Sequence, residues 1–156
     1  MAAGDKPDVQ RVNRLFTEIV NAVMAHHNRL LSKVAGGRML TMSELHVIDA
    51  IGSELLPMSE IATRLGVTPG TITVAVDRLE KKGFLTRMRT AEDRRLVLVG
   101  LTPRGEEVLR HHAAVDRYLA SCAVAHLSPG EQESLVKMLD KVRQAIVNAP
   151  AVPFDI

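Results

Sequence analysis

Apolar and polar positions along the first third of this chain follow a helical period. Between Val9 and about Lys33 the apolar residues form a stripe with the roughly 3.6-residue spacing of an amphipathic helix. Thr41 and Glu44 then have the spacing of a capping box, which predicts a second helix from there to about Ile51. A long helix followed by a shorter one is therefore predicted.

Two further helical segments follow, and a glycine separates them. Ser59–Leu65 reads as a short helix that ends at Gly66. Thr68 is a good N-cap with Pro69 at the first helical position, and Gly83 is a good C-terminal stop, so a second helix is predicted between them. This order predicts a helix-turn-helix pair.

The period changes from helical to alternating after this pair. Residues 84–89 and 96–101 have the pattern of two strands around a charged turn, which predicts a β-hairpin. Helical patterns then return over Thr102–His126 and Ser128–Val147, each opening with a cap residue followed by proline. The predicted fold is mainly α with one small hairpin.

Composition places the chain among globular proteins of a reducing compartment. The chain has 156 residues, of which 46% are hydrophobic, and it contains one cysteine, so no intramolecular disulfide is possible. Cys122 stands in an apolar run without a neighbouring lysine or arginine, and we expect a packed thiol. No stretch has the length of a membrane span and the N-terminus lacks a signal-peptide pattern, so a cytoplasmic protein without membrane partners is expected.

Charge alone decides little about function. The net charge is +2, but residues 58–102 carry eight Lys and Arg against five Asp and Glu. A modest local excess of this kind also fits an ordinary solvated surface, and a helix-glycine-helix pattern also occurs in helical bundles. DNA binding is favoured, while a helical interaction protein without DNA affinity stays open.

The predicted DNA contacts lie on the second helix of the pair and on the hairpin. Small hydroxyl residues at the start of that helix suit phosphates and base edges, and its basic end suits the DNA backbone. Arginines on the hairpin suit the minor groove, where we expect the acidic residue to orient an arginine by pairing with it. The set comprises Thr68, Gly70, Thr71, Thr73, Arg78, Lys81, Lys82, Arg87, Arg89, Asp93, Arg94 and Arg95.

These residues carry a resemblance to the MarR family of bacterial transcription regulators. The hairpin has the Asp-x-Arg element of that family in Asp93 and Arg95, and Leu101, Thr102 and Gly105 match its Leu-Thr-x-x-Gly helix start. Segments 44–52, 58–62 and 71–83 resemble most the subgroup that represses fatty-acid biosynthesis genes in Gram-positive bacteria.

The resemblance implies a winged helix-turn-helix protein that is dimeric through its terminal helices. It implies a single domain over residues 1–156, a DNA-binding lobe over 41–102, and dimerisation helices over 7–35 and 103–148. The last helix carries an apolar face formed by Leu135, Met138, Leu139, Val142 and Ile146, which a partner chain would cover. A homodimeric repressor on a pseudo-palindromic operator is expected.

The resemblance also implies an effector pocket between the dimer base and the DNA-binding lobe. We expect it to take an acyl chain presented by acyl carrier protein, or another apolar effector. The expected lining comprises Phe16, Val20, His46, Ile48, Val108 and His112.

The sequence predicts no metal site, no cofactor and no catalytic residues. Zinc-sensing relatives use an adjacent Glu-His pair and spaced histidines on the helix after the wing, whereas here Glu44 and His46 are two positions apart and His111 and His112 are neighbours. Neither pair presents two ligands on one helix face. A zinc-responsive regulator on the same scaffold stays open, and no nucleotide-binding loop or nucleophile motif indicates an enzyme.

Overall fold

The computed structural model describes residues 8–34, 40–89 and 97–150. Within these ranges the elements are α1 (Val9–Val34), α2 (Met42–Ile51), β1 (Leu56–Pro57), α3 (Met58–Leu65), α4 (Pro69–Lys81), β2 (Leu85–Arg89), β3 (Val97–Leu101), α5 (Pro103–Val124) and α6 (Pro129–Val147). The chain divides into two compact units, residues 1–117 and 118–156. The predicted mainly helical, winged helix-turn-helix fold is confirmed.

The predicted cap residues begin the helices as expected. At the start of α2 the Thr41 side chain accepts from the Glu44 amide, and the Glu44 carboxylate accepts from the Thr41 amide, which completes the capping box. Thr68 caps α4 and Pro69 opens it. Ser128 and Glu131 form the second predicted capping box, at the start of α6. Local side-chain chemistry therefore sets these boundaries.

Over the described residues the sheet has three antiparallel strands in the order β1-β3-β2, one more than the predicted hairpin. Leu56 and Pro57 of β1 pair with Val99 and Leu98 of β3. Two residues are too short for an alternating pattern to register, so this strand is fixed by its partner and not by its own sequence. The extra strand joins the segment before α3 to the hairpin formed by β2 and β3, which we call the wing.

One hydrophobic core holds the first unit together. It is built from α2, α3 and α4, the base of the sheet, the end of α1 and the start of α5, so the helix-turn-helix is fixed on a packed base. Its buried members are Leu31, Leu40, Leu45, Val47, Ile48, Ile51, Leu56, Ile61, Ala62, Ile72, Val76, Leu79, Phe84, Leu85, Val99 and Val108.

The Leu-Thr-x-x-Gly motif joins the wing to α5. The Thr102 hydroxyl donates to the Gly83 carbonyl at 2.8 Å and accepts from the Gly105 amide at 3.2 Å, and the Thr102 amide donates to the Phe84 carbonyl. A Cβ at position 105 would lie 2.2 Å from the Phe84 carbonyl oxygen. Glycine is therefore required here because the backbones approach so closely.

In the second unit, α6 and the end of α5 leave apolar side chains exposed. Met138, Leu139 and Ile146 are all exposed on α6. The expectation that Cys122 is a packed thiol is wrong for this chain, since Cys122 is exposed near the end of α5. Within the described ranges, no helix combines the length and apolar character needed to cross a membrane.

Candidate nucleic-acid interface

α4 is anchored by one face and presents the other. Ile72, Val76 and Leu79 are buried in the core. The turn before α4 depends on Gly66, whose φ of +64° lies in the left-handed region that favours glycine, and the Val67 amide donates to the Ala62 carbonyl across it. α4 is therefore held against α3 by buried side chains and a tight turn. This is the position of the second helix of a helix-turn-helix pair, which we call the reading helix.

The first turn of α4 presents the predicted hydroxyl residues. Thr68 accepts from the Thr71 amide at 3.3 Å, and the two hydroxyls are 2.9 Å apart. Thr68, Gly70 and Thr71 are exposed. Thr73 is also exposed, but its hydroxyl donates to the Pro69 carbonyl at 3.0 Å, so this hydroxyl is already used within the helix.

Two exposed valines belong to the same surface, although the sequence analysis did not select them. Val74 is 50% exposed and Val67 is 41% exposed, whereas Ile72, Val76 and Leu79 of α4 are buried. Positions 71, 74 and 78 recur at helical spacing, so Thr71, Val74 and Arg78 share one face of α4. The sequence contained a sign of this surface, because both valines are apolar residues outside the periodic stripe that packs into the core.

A groove of about 340 Å³ borders this face. It lies between the start of α2 and α4, and its wall is mostly apolar with hydroxyl and guanidinium groups at the margin. The lining comprises Thr41, Ser43, Glu44, Thr71, Val74, Ala75 and Arg78. The exposed face of α4 is therefore concave on the α2 side.

Lys82 lies against a buried carboxylate. Its ammonium is 2.7 Å from both oxygens of Glu44, whose side chain is only 7% exposed. Burial raises the pKa of the Glu44 carboxyl, but the hydrogen bonds from Lys82 and Thr41 outweigh burial and hold that pKa below its ordinary value. A phosphate contact by Lys82 would compete with this ion pair.

Arg87 ties the wing to the reading helix. Its guanidinium bonds Asp77 and Glu80, both on α4, and its side chain is half-buried between them. Burial lowers the pKa of Arg87, but the two carboxylates raise it by more. The pKa of Arg87 therefore lies above its ordinary value. Two carboxylates neutralise this cation, so its position suits holding β2 on α4 better than contacting phosphate.

The other predicted basic residues are divided between the surface and the wing tip. Arg78 and Lys81 are exposed on α4, and Arg89 is exposed at the end of β2. Asp93, Arg94 and Arg95 lie outside the described residues, and their predicted contacts stay predictions.

The predicted effector residues fall in different surroundings. Ile48 and Val108 are buried members of the hydrophobic core, whereas Phe16, Val20 and His46 are exposed. His112 is buried. The effector pocket therefore stays a prediction, and it requires the core residues to become accessible from the α1 side.

The structure brings together one set of potential metal ligands that spacing on a single helix did not reveal. His27 of α1 and His112 of α5 are buried, and Asp116 lies one turn beyond His112. The ligand atoms of these three residues all lie within 4.8 Å of one another. The four-residue spacing of His112 and Asp116 was visible in the sequence, but the approach of His27 was not.

Comparison with known proteins agrees with this architecture. The sequence model of the MarR family matches residues 40–97. The HTH-type transcriptional regulator YkoM of Bacillus subtilis (strain 168) is 29% identical over 139 residues, which are 88% of this chain and 89% of YkoM. The HTH-type transcriptional regulator YfiV of the same organism is 30% identical over 111 residues, 70% of this chain and 69% of YfiV.

A solved structure matches over nearly the whole chain. The crystal structure of Streptococcus pneumoniae FabT in complex with DNA has a TM-score of 0.78 with this chain at 30% sequence identity. The match covers 90% of this chain and 99% of the FabT chain.

Proposed function

Because this chain belongs to the MarR family of DNA-binding transcription regulators, we propose that it represses transcription as a homodimer bound to a pseudo-palindromic operator. The observation that carries the proposal is the face of α4 opposite the core, where Thr71, Val74 and Arg78 are exposed together. A helix that is buried on one side and exposes hydroxyl, methyl and guanidinium groups on the other suits the major groove.

Each group on this face has a matching chemistry on DNA. The methyl groups of Thr71 and Val74 suit the thymine methyl, and Arg78 suits a guanine edge or a phosphate. The first-turn amides of α4 favour a phosphate oxygen. A Cβ at Gly70 would meet nothing closer than the Thr68 hydroxyl at 3.9 Å, so packing within the chain does not require this glycine, and close approach of the DNA backbone explains it better.

The wing supplies a second contact. β2 and β3 pair along five residues each, and Arg89 is exposed where β2 ends. We assign the minor groove to the wing, with Arg94 and Arg95 as the entering side chains and Asp93 as the residue that orients Arg95.

Dimerisation through the terminal helices follows from apolar faces that the single chain leaves open. Val12, Phe16 and Ile19 are exposed on α1. α6 separately exposes Met138, Leu139 and Ile146. Contiguous exposed apolar faces mark interaction surfaces, and a two-fold partner would cover both helices in each chain. Two reading helices would then meet successive major grooves about 34 Å apart.

Selection from a randomised duplex library with the purified full chain tests this proposal. We expect enriched sites with two-fold symmetry and half-sites about 10 base pairs apart. Val74→Ala should change the preferred bases, and Arg78→Ala should weaken binding, while Arg110→Ala, which removes an exposed arginine from α5, should leave both unchanged. No enrichment would favour an interaction protein without DNA affinity, and asymmetric sites would contradict the dimer.

The effector that we propose is a long acyl chain presented by acyl carrier protein, in keeping with the fatty-acid regulator subgroup that the sequence resembles. Each methylene removed from water contributes about 0.8 kcal/mol, so a few methylenes suffice to bias a dimer between two spacings of its reading helices. Phe16, Val20, His46, Ile48, Val108 and His112 remain the proposed lining. Acyl carrier protein charged with short and long chains should shift operator affinity in order of chain length, and chain-length independence would contradict the proposal.

The same proposal places the chain where its DNA is, in the cytoplasm, and assigns it no catalytic role. The DNA upstream of genes beside the chain's own gene is the first place to search for operators, guided by the site enriched from the duplex library.

A further inference from the structure

Two buried imidazoles and two carboxylates meet where α1, α2 and α5 come together. His27 of α1 is 3% exposed and His112 of α5 is 7% exposed, and their ring centroids are 4.8 Å apart. Asp116, one turn along α5, and Asp49, near the end of α2, complete the group at the surface side. We call these four residues the His27 cluster.

The hydrogen bonds of His27 fix which ring nitrogen carries the proton, and they direct the lone pair of the other nitrogen at the Asp116 carboxylate. Its Nδ1 is 3.0 Å from the Val23 carbonyl, which can only accept, so Nδ1 carries the proton. In the neutral ring Nε2 is then unprotonated, yet it lies 2.9 Å from the Asp116 Oδ1, which is also an acceptor. Two acceptors are stable at this distance only if a cation lies beside them or a proton lies between them.

This arrangement of His27 is the one that metal-binding histidines adopt. A ligating imidazole usually donates its other N–H to a backbone carbonyl or carboxylate, which fixes the ring orientation and the tautomer. The Val23 carbonyl provides that bond for His27 and directs Nε2 into the cluster.

The contacts of the Nε2 atoms with the carboxylates are comparable in length to the edges of one coordination sphere. Ligand bonds of about 2.0–2.2 Å at tetrahedral angles place neighbouring ligand atoms about 3.3–3.6 Å apart. Nε2 of His27 is 2.9 Å from Asp116, and Nε2 of His112 is 3.5 Å from Asp116 and 3.8 Å from Asp49. The ligand atoms of His27, His112 and Asp116 lie within 4.8 Å of one another, so side-chain shifts of about 1 Å would bring them onto one ion, and Asp49 supplies a further carboxylate oxygen 3.8 Å from the Nε2 of His112.

The buried ring of His112 has one nitrogen that is not hydrogen-bonded to any described residue. Among the described residues, its Nδ1 is a buried polar atom without a hydrogen-bond partner. The polar contacts of the buried ring are those of Nε2 with the Asp49 and Asp116 carboxylates, and a buried imidazole arranged in this way needs an explanation beyond packing.

We propose that His27, His112 and Asp116, with Asp49 as the fourth ligand, form a site for a divalent transition metal ion of the Zn²⁺ type. Two imidazole nitrogens and two carboxylate oxygens are a donor set that such ions accept in tetrahedral geometry. The site does not use Glu44, which is bonded to Lys82, nor the exposed His46 and His111.

Occupancy of the site would join three helices. The ion would link α1 and α5 to the end of α2, and α2 contacts the end of α4 through the bond between Glu44 and Lys82. An effect of the metal on operator affinity rests on the proposed function, whereas metal binding itself does not.

Cobalt titration of the metal-free full chain tests the site, because Co²⁺ at a tetrahedral site gives strong ligand-field absorbance. We expect one Co²⁺ per chain with this absorbance and its loss when Zn²⁺ is added. Asp116→Asn and His112→Gln should each weaken binding at least tenfold. His111→Gln, which changes the adjacent exposed histidine, should leave the spectrum and affinity unchanged.

Circular dichroism of each variant separates loss of the ligand from loss of the fold, and the half-exposed Asp116 provides the variant least able to disturb packing. Absence of stoichiometric Co²⁺ and Zn²⁺ binding at neutral pH would overturn the proposal and leave a proton as the occupant of the cluster. Binding that His111→Gln reduces as much as Asp116→Asn would also overturn it. Selection of operator DNA in the presence of a chelator reports the proposed function independently.

Discussion

The ion pair between Lys82 and Glu44 predicts that Lys82→Ala destabilises the fold more than it weakens DNA binding. The Lys82 ammonium bonds both oxygens of a carboxylate whose side chain is 7% exposed, while the lysine side chain itself is 29% exposed. Removing Lys82 leaves a buried carboxylate that keeps its hydrogen bonds from Thr41, among them that from the Thr41 amide at 2.9 Å. Lys81→Ala, one residue earlier and exposed, is the matched control.

The burial of the two side chains sets the magnitude. Breaking a fully buried pair costs about 3–5 kcal/mol. An exposed pair contributes at most about 1 kcal/mol. Since water reaches Lys82 but hardly reaches Glu44, we expect Lys82→Ala to lower the free energy of unfolding by about 2 kcal/mol, in line with charged hydrogen bonds. Lys81→Ala should change it by less than about 0.5 kcal/mol.

The pH dependence gives this prediction a sign that packing alone would not produce. The pKa of Glu44 in the folded chain lies below its ordinary value of 4.5, so the pair contributes fully above that value and is lost as the pH falls through the folded pKa. Urea unfolding at pH 7 should therefore show the full difference between wild type and Lys82→Ala. The difference should shrink on acidification below about pH 4.5.

Salt dependence of operator binding separates the structural role from a phosphate contact. If the ammonium stays on Glu44, Lys82→Ala leaves the slope of log affinity against log salt unchanged, whereas loss of one phosphate contact flattens it by about 0.9. A flattened slope together with unchanged stability would refute the reasoning. Equal stability of Lys81→Ala and Lys82→Ala at pH 7 would do the same.

Three further substitutions test the joint at α5 and the wing. Gly105→Ala brings a Cβ to 2.2 Å from the Phe84 carbonyl oxygen and should destabilise by about 1–3 kcal/mol in urea melts. Gly130→Ala, where nothing lies within 4 Å of the new Cβ, should be neutral or stabilising by up to about 1 kcal/mol, and equal losses would contradict the steric account. Arg87→Ala should reduce minor-groove protection in hydroxyl-radical footprints without flattening the salt slope, because two carboxylates already neutralise its charge. Arg95→Ala should weaken operator binding by about 1–3 kcal/mol and flatten the slope, and an unchanged affinity and slope would remove Arg95 from the wing contact.

Local signals in the sequence predicted the helix-turn-helix well. The start of α4 needs Thr68 as a cap and Pro69 at its first position, and the turn before it needs Gly66, so each boundary is encoded within a few residues. The exposure of Thr68, Gly70 and Thr71 in the first turn of α4 agrees with these boundaries, while their contacts with DNA stay a prediction. Val67 and Val74 were missed because an apolar residue outside a buried stripe reads as incidental until its exposure is measured.

Features that depend on distant partners were not predictable from spacing. β1 exists because Leu56 and Pro57 pair with β3. Glu44 and Lys82 are 38 residues apart, and His27 and Asp116 are 89 residues apart. The sequence analysis placed Lys82 and Arg87 among the DNA contacts because a basic residue in a sequence carries no sign of which carboxylate the fold brings to it.

α2 connects these long-range features to the reading helix. Near its start Glu44 bonds Lys82 at the end of α4, and at its other end Asp49 lies 3.8 Å from the Nε2 of His112 on α5. Along α2 the side chains of Leu45, Ile48 and Ile51 are fully buried in the core, so close packing opposes a local deformation of the helix. We therefore expect a cation or effector that displaces the end of α2 beside α5 to shift α2 as a unit, and the bond between Glu44 and Lys82 to carry that shift to α4. Substituting Lys82 should then weaken any coupling between metal and operator even though Lys82 touches neither ligand.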